Sequence, residues 1–557
     1  MGTLGLGDQP LEHIGTLARM PSAPVGTSSV PDTWWRSAVV YQIYVRSFAD
    51  SNGDGHGDLQ GVIDHLDHLS WLGVDAIWLS PVTPSPNADW GYDVSDYTAI
   101  DPVFGDLRVL DSLIAEAGSR GLRVIMDLVP NHTSDRHPWF VDARSDRSAA
   151  HRDWYVWSDG SADHSPPNNW LSVFGGPAWT LDEPTDQYYL HNFLPEQPDL
   201  NWWNEEVRSA FDDVLRFWFD RGISGFRIDV ANGIVKDQSL RDDPPSTPDD
   251  HPRTSATGLR PVYNMNRPEV HDVHRRWRRI ADSYDPARVL IGETWLFDLN
   301  DLMLYYGRDD ELHLPLNFPF IFSEFGLALK DVVELTEMAM PAGAWPVWAA
   351  SNHDVGRFPT RWCAGDERKV RAALFVLMML RGTPILYQGD EIGMADAAVP
   401  PERLRDPVAL RGPDTDAGRD GGRTPMQWTA GSNGGFSIDG VEPWLPLGDP
   451  DSCNVAHQQQ DPTSLLHLCR ELIATRRAHP ELSRGSYASL DAPSRVWAWR
   501  RGQMTVAVNC SDRPVDVNIG SGVVLIGTRQ EPNGRTVRGP LRLEPWEAIL
   551  AEPAEGA

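Results

Sequence analysis

Between Val39 and Tyr387 this 557-residue chain repeats one pattern: a short apolar run, a loop, and a stretch with apolar residues at helical spacing. The runs are Val39–Val45, Ala76–Ser80, Val124–Val129, Gly225–Asp229, Val289–Gly292, Leu314–Phe318, Val347–Ala350 and Ile385–Tyr387. A run that is apolar throughout, without alternation, is buried on both faces, as in a parallel sheet covered by helices. Eight such units suit a sheet closed on itself, so the expected fold class is α/β, a (β/α)8 TIM barrel. Barrels keep their chemistry at the C-terminal ends of their strands, and Asp229, Glu293 and Asp354 stand at or just beyond the ends of three runs.

Helical stretches lie between the runs. Glu206–Asp220 places Val207, Phe211, Val214, Leu215 and Trp218 on one face and is expected to cover the outside of the barrel. Two connections are too long for ordinary loops. Residues 133–200, rich in Pro, Asp, Asn, Trp and His, read as a small inserted domain after the third strand. Residues 395–446, rich in Gly, Pro and Asp, read as an irregular insertion after the eighth. The barrel is then expected over 31–132 and 201–477, behind a flexible N-terminal extension at 1–30. Past a helix near Leu465–Arg477 the pattern changes to short alternating strands, including Val496–Trp499, Thr505–Val508 and Val523–Ile526. They predict a C-terminal antiparallel β domain over 478–557.

The formal net charge is −30. Nucleic-acid backbones and anionic membrane surfaces both require clustered Lys and Arg, so neither is an expected partner, and a small neutral ligand fits better. Twenty-three Trp supply flat faces on which sugar rings stack, as well as core filler. The longest apolar stretch, Ala372–Leu380, is far shorter than the roughly 20 residues of a membrane span and reads as a buried barrel helix. The first residues carry Asp8 and Glu12 with no basic start and apolar run, so no signal peptide is expected. Cys363, Cys453, Cys469 and Cys510 are scattered without a C-x-x-C pair, which suits a reduced, cytoplasmic setting. Neither a Rossmann nor a P-loop fingerprint is present, so no organic cofactor is expected.

Cleavage of a glycosidic bond requires a proton donor for the leaving oxygen and a carboxylate that meets the developing oxocarbenium ion. Asp229 and Glu293 end adjacent runs and can face one sugar position. Arg227, two residues before Asp229, points to the same side of its strand and is expected to keep that aspartate ionised. Asp229 is therefore the nucleophile candidate and Glu293 the general acid/base. The motifs GFRIDVANG, IGETW and SNHDVGR, with DLVPNH at Asp127–His132, resemble in order and spacing the four sequence regions of the α-amylase superfamily of retaining α-glycoside hydrolases. The resemblance implies the same two roles and a carboxyl separation of about 5–5.5 Å. It makes Asp354 the third carboxylate, which binds hydroxyls of the reacting ring, and adds His132 and His353 as sugar-binding histidines. Asp127 and Asn131 match residues that organise the barrel floor.

QPDLNW, Gln197–Trp202, resembles the fifth region of the oligo-1,6-glucosidase and α-glucosidase branch. In that branch the residues matching Asp89, in DWGYD, and Arg423, in GGRTPMQW, close the pocket by gripping a terminal glucose, which implies exo action. The resemblance also puts Tyr92 beneath the ring and Phe174, Phe193 and Gln197 around it. Val230 matches relatives that favour α-1,6 bonds, whereas Ala231, Asn232 and Gly233 depart from the oligo-1,6-glucosidase pattern, so the linkage stays open between α-1,4 and α-1,6. In the loop Asp50–Asp58, oxygen ligands alternate at Asp50, Asn52, Asp54 and Asp58, with glycines allowing a tight wrap, as structural Ca2+ or Mg2+ requires. Related α-glucosidases carry a similar site in which the residue matching His56 gives its backbone carbonyl. The function expected is an exo-acting α-glucosidase working on short α-glucosides or oligosaccharides, with some transglycosylation. The alternatives are a sugar isomerase or transglycosylase of the sucrose isomerase or trehalose synthase type, using the same carboxylates, and a non-catalytic interaction protein. The last would be expected to carry a membrane span and a damaged triad.

Overall fold

The computed structural model describes residues 33–253, 257–411, 418–529 and 534–554, so the extension expected at residues 1–30 lies outside the described residues. Eight strands follow in chain order: β1 (Val40–Ile43), β2 (Ala76–Leu79), β3 (Arg123–Leu128), β4 (Gly225–Ile228), β5 (Val289–Gly292), β6 (Leu314–Pro315), β7 (Val347–Ala349) and β8 (Thr383–Tyr387). Each pairs in parallel with its neighbour, in the order β7-β8-β1-β2-β3-β4-β5-β6. That is chain order rotated. Because β1 is paired with β8, Val40 opposite Ile385, the sheet rolls round on itself as a (β/α)8 barrel. The seam falls between β6 and β7, where no ladder forms among the described residues. β6 is two residues long, and one of them, Pro315, has no amide to donate.

β1, β2, β4 and β5 are buried along their whole length, which is why they read as unbroken apolar runs. The expected runs overshoot the ladders at Val45, Ser80, Val129, Asp229 and Phe318, all at C-terminal ends where the loops diverge. Helix Glu205–Arg221 shows how the outer layer is specified. Asn204 caps it by accepting from the Glu206 amide at 2.8 Å, Glu205 and Glu206 fill its first turn, and Gly222 ends it at φ 111°. Its buried stripe includes Val207, Phe211, Val214, Leu215 and Trp218. The apolar stretch at Ala372–Leu380 falls within and just past helix Glu367–Met379, buried beneath the C-terminal sheet. Among the described residues no helix is long and apolar enough to cross a membrane.

After β3 the chain leaves the barrel and forms a three-stranded antiparallel sheet from Trp157–Ser158, Trp179–Asp182 and Gln187–Leu190, with the last in the middle. Its core is aromatic: Trp170 stacks on Trp179 at 6.0 Å, and Phe140 meets Tyr155 and Tyr189 edge-on. The bridge between His132 and Asp199, with Leu200 N donating to Asn131 O at 2.9 Å, stitches this unit back to the end of β3. Among its described residues, the insertion after β8 holds short helical turns at Pro401–Arg403, Pro407–Arg411 and Asp420–Arg423. It lies against the loop after β1, where Asp50 N donates to Phe436 O at 2.7 Å and Trp444 N to Gly55 O at 2.9 Å. The C-terminal strands form one six-stranded antiparallel sheet from Tyr487 to Pro553, with two strands, Val515–Gly527 and Arg535–Leu543, longer than the short alternation suggests.

Candidate active site

The site is built around Arg227. It lies on β4, fully buried, with Asp127 of β3 opposite it in register and Gly292 of β5 opposite Ile228. The next residue of each chain segment is therefore brought to one level, Asp229 beside Glu293. Arg227 Nη1 contacts Asp127 Oδ1 at 2.8 Å and Asp229 Oδ1 at 2.7 Å, while Nη2 lies 2.8 Å from Glu293 Oε2. A guanidinium presents its donors in a planar fork, so one residue orients carboxylates from three adjacent strands. Removing it would leave three partly desolvated negative charges without a counter-ion.

Burial pushes the Asp229 carboxyl well above the usual range, helped by the charge of Glu293 and opposed by Arg227. This departs from the expectation that Arg227 keeps Asp229 ionised. Burial likewise raises Asp127 to about 6 against the pull of Arg227. Trp78 Nε1 and Tyr92 Oη both donate to Asp127 Oδ2, at 3.1 and 3.3 Å. Glu293 also accepts from the backbone amide of Val230 at 3.0 Å, and Val230 stands at φ 46°, a left-handed conformation unusual for a β-branched residue.

Asp354, past the end of β7, faces the same space. Its Oδ1 accepts from Arg419 Nη1 at 2.9 Å and Arg423 Nη2 at 3.0 Å, and its Oδ2 lies 3.1 Å from His353 Nε2. Burial opposes its ionisation, but His353, Arg419 and Arg423 outweigh that and hold it well below the usual carboxylate range. His353 is itself pushed down to about 3 by burial, and its ring lies parallel to Tyr92 with centroids 5.3 Å apart. His132, lowered to about 4 by burial, contacts Tyr92 O at 3.0 Å and Gln197 Nε2 at 3.1 Å. Both histidines are neutral polar groups at physiological pH.

Asp89, in the loop after β2, is buried and is met by Arg419 Nη2 at 2.7 Å and by Gln197 Nε2 at 3.5 Å. Arg423, named with Asp89 from the sequence, pairs instead with Asp354. Arg423 is fully buried, donates from Nε to His353 O at 2.8 Å, and holds Asp354 from below. Arg419 spans Asp89, Asp354 and the buried Asp406, and Phe174 lies beneath its guanidinium at 5.5 Å. Sequence reasoning missed Arg419 and Asp406. The available signal was a second arginine, Arg419, four residues before Arg423 in the same Gly-rich segment. Phe193 joins the same wall, 6.0 Å from Phe174 and 5.1 Å from His132. All twelve sequence-derived catalytic and sugar-binding residues thus gather at one end of the barrel.

The loop Asp50–Asp58 lies apart from them. Asp50 accepts from the amides of Asn52, Gly53 and Gly55 and from Ser437 Oγ at 2.6 Å; Asn52 accepts from Asp54 N, and Asp54 from His56 N. Asp58 caps the helix Leu59–Asp64 and accepts from Ser51. No three His, Cys, Asp or Glu side chains form a metal cluster among the described residues. The donors are nevertheless all oxygen, the chemistry that a hard cation takes, and His56 leaves its carbonyl within the same turn.

Residues 42–485 match the alpha amylase catalytic domain. A probable alpha-glucosidase of Rhizobium meliloti (strain 1021) is 44% identical over 502 residues, 87% of this chain and 90% of that protein. An oligo-1,6-glucosidase of Heyndrickxia coagulans is 36% identical over 93% of this chain and 99% of its own length. Among solved structures, the alpha-glucosyl transfer enzyme XgtA superposes with a TM-score of 0.89 at 41% identity, covering 94% of this chain and 100% of that one.

Proposed function

Because this chain belongs to the alpha-amylase family, we propose that it is an exo-acting, retaining α-glucosidase that removes terminal α-linked glucose from short oligosaccharides. The observation that carries this reading is Arg227 holding Asp229 and Glu293 on one fork, in a site whose other side is closed by Asp89 with Arg419. We take this ion pair as the wall beyond the first glucose, which supports a site that accepts a non-reducing end.

The reaction runs in two displacements. Asp229 attacks C1 as the bond from C1 to the glycosidic oxygen breaks, and that oxygen takes the proton of Glu293. Water then enters, gives its proton to Glu293 and attacks C1 as the bond to Asp229 breaks. Two inversions retain the anomeric configuration. The first step consumes one proton, carried by Glu293 when Asp229 attacks; Arg227, which opposes the rise that burial gives Asp229, favours the attacking form. Asp354, kept ionised, accepts hydrogen bonds from ring hydroxyls, while neutral His132 and His353 donate and accept without adding charge. A sugar hydroxyl arriving in place of water gives transglycosylation, a secondary reading supported by the likeness to XgtA. We propose in addition that Asp50, Asn52, Asp54, Asp58 and the His56 carbonyl hold a structural Ca2+ or Mg2+, which would neutralise the loop and take no part in bond cleavage.

Chromatography of products from maltose, isomaltose, sucrose, trehalose and longer glucans tests the proposal. Glucose is expected as the first product from the disaccharides it cleaves, and endo-type fragments from glucans would refute exo action. Asp229→Asn is expected to fold and to lose turnover by at least about a thousandfold. Near-wild-type rates in that variant would remove it as nucleophile.

A further inference from the structure

A fully buried lysine lies directly behind the site. Lys236 is 3% exposed, and its ammonium makes three contacts: an ion pair at 2.9 Å with Asp199 Oδ2, and hydrogen bonds to Asn131 Oδ1 and to Gly233 O. An ammonium has three donors, and all three are used. The acceptors come from three different segments. Asn131 follows β3, Asp199 closes the inserted domain, and Gly233 belongs to the turn after Asp229. Asp199 is also fully buried; its Oδ1 accepts from Asn192 N at 3.0 Å and from Asn131 Nδ2 at 3.2 Å. Among the described residues Asp199 is the one carboxylate in contact with Lys236, and the nearby His132 is neutral.

The turn held by Lys236 is the piece of backbone that touches Glu293. Val230 N donates to Glu293 Oε2 at 3.0 Å, Ala231 N donates to Glu293 O at 2.8 Å, and Gly233 N closes the turn on Val230 O at 2.8 Å. Val230 sits there at φ 46°. A β-branched residue in that region is strained and persists only where its surroundings over-determine it. Arg227 holds both Asp229, just before the turn, and Glu293, but Glu293 also accepts from the Val230 amide of the turn itself. The turn therefore bears on the carboxylate of Glu293 more than on that of Asp229.

We infer that Lys236 and Asp199 are positioning residues: their ion pair pins the Val230–Gly233 turn to the inserted domain and so fixes the backbone donor that orients the Glu293 carboxyl toward the leaving oxygen. The inference rests on the reading of Glu293 as the acid/base and goes beyond it in giving the inserted domain a part in aiming the proton. The effect is specific. Loosening the turn lowers reaction where the leaving oxygen needs a proton and leaves reaction with a self-sufficient leaving group largely intact.

The double variant Lys236→Met/Asp199→Asn tests this, because removing both charges of a buried pair together avoids leaving one uncompensated. It is compared with wild type on maltose, whose leaving oxygen must be protonated, and on α-D-glucosyl fluoride, whose fluoride departs with little proton assistance. With folding checked by circular dichroism and Tm, kcat/KM for maltose is expected to fall by about tenfold or more, a size typical of small misplacements of a reacting group. With the fluoride, the fall is expected to stay within about threefold, since general-acid help is what has been lost. An equal fall on both substrates, or none on either, overturns the inference. If the double variant does not fold, the near-isosteric Asp199→Asn alone is read by the same comparison. Should wild type turn over neither substrate, the glucosidase reading fails instead, so the two failures are distinguishable.

Discussion

Asp229, Glu293 and Asp354 are legible in the sequence because the motifs that carry them stand together in order; a single carboxylate at the end of an apolar run is more often a cap or an ion-pair partner. Their surroundings are less legible. The partner of Asp89 is Arg419, 330 residues away, and the sequence points equally well to Arg423. The two arginines now separate experimentally. Arg419→Ala is expected to cut kcat/KM on maltose by about ten- to a hundredfold, mainly through KM, as expected for loss of charged hydrogen bonds. Arg423→Ala, which removes a buried guanidinium from beneath Asp354, is expected to lower Tm as well; steady-state kinetics and thermal unfolding on both variants check this. His274 offers a test of protonation. It is fully buried, contacts Ala231 O at 2.9 Å, and is pushed down to about 3 by burial. Its contribution to stability is complete above the ordinary histidine value and is lost as pH falls toward the folded value, because the unfolded chain binds the proton first. His274→Gln is expected to show a shallower fall of Tm than wild type between about pH 7 and about pH 4.

At the scale of elements, strand and helix cores were readable and their ends were not. β6 was expected as Leu314–Phe318 and forms only Leu314–Pro315, since Pro315 cannot donate and Asn317 turns to cap the following helix Phe318–Phe322. The loop Asp50–Asp58 is an element with a stake in two places. Asp50 receives Ser437 Oγ, and Gly55 O receives Trp444 N, so the loop ties β1 to the insertion after β8. Chelation with EDTA is expected to lower Tm and added Ca2+ to restore it, with kcat of the protein still folded unchanged within about twofold, because the cation stabilises by binding the native state. An unchanged Tm after complete chelation would set the cation aside.

At the scale of the whole molecule, the net charge of −30 sits on a protein whose proposed substrate carries none. Long-range fields steer charged ligands, and a neutral sugar feels only the local dipoles of the pocket. The value of kcat/KM on maltose is therefore expected to stay flat as salt shortens the Debye length from about 30 Å to about 8 Å. A steep salt dependence, measured on protein of unchanged Tm, would point to an anionic substrate. The architecture also explains how three separate units serve one site. The barrel supplies Arg227, Asp229, Glu293 and Asp354, the inserted domain supplies Phe174, Phe193, Gln197 and Asp199, and the insertion after β8 supplies Arg419 and Arg423.

By itself the sequence determined the repeating strand and helix pattern, the barrel that follows from it, and the order of the carboxylates along it. These depend on local spacing and on burial of both strand faces, which one segment records on its own. Tertiary structure alone decided which arginine meets Asp89, that one guanidinium serves Asp127, Asp229 and Glu293 together, and that Lys236 joins three segments behind the site. Charge pairing in a dry interior is settled by distances of about 3 Å between groups far apart in the chain, and no local pattern encodes such a distance.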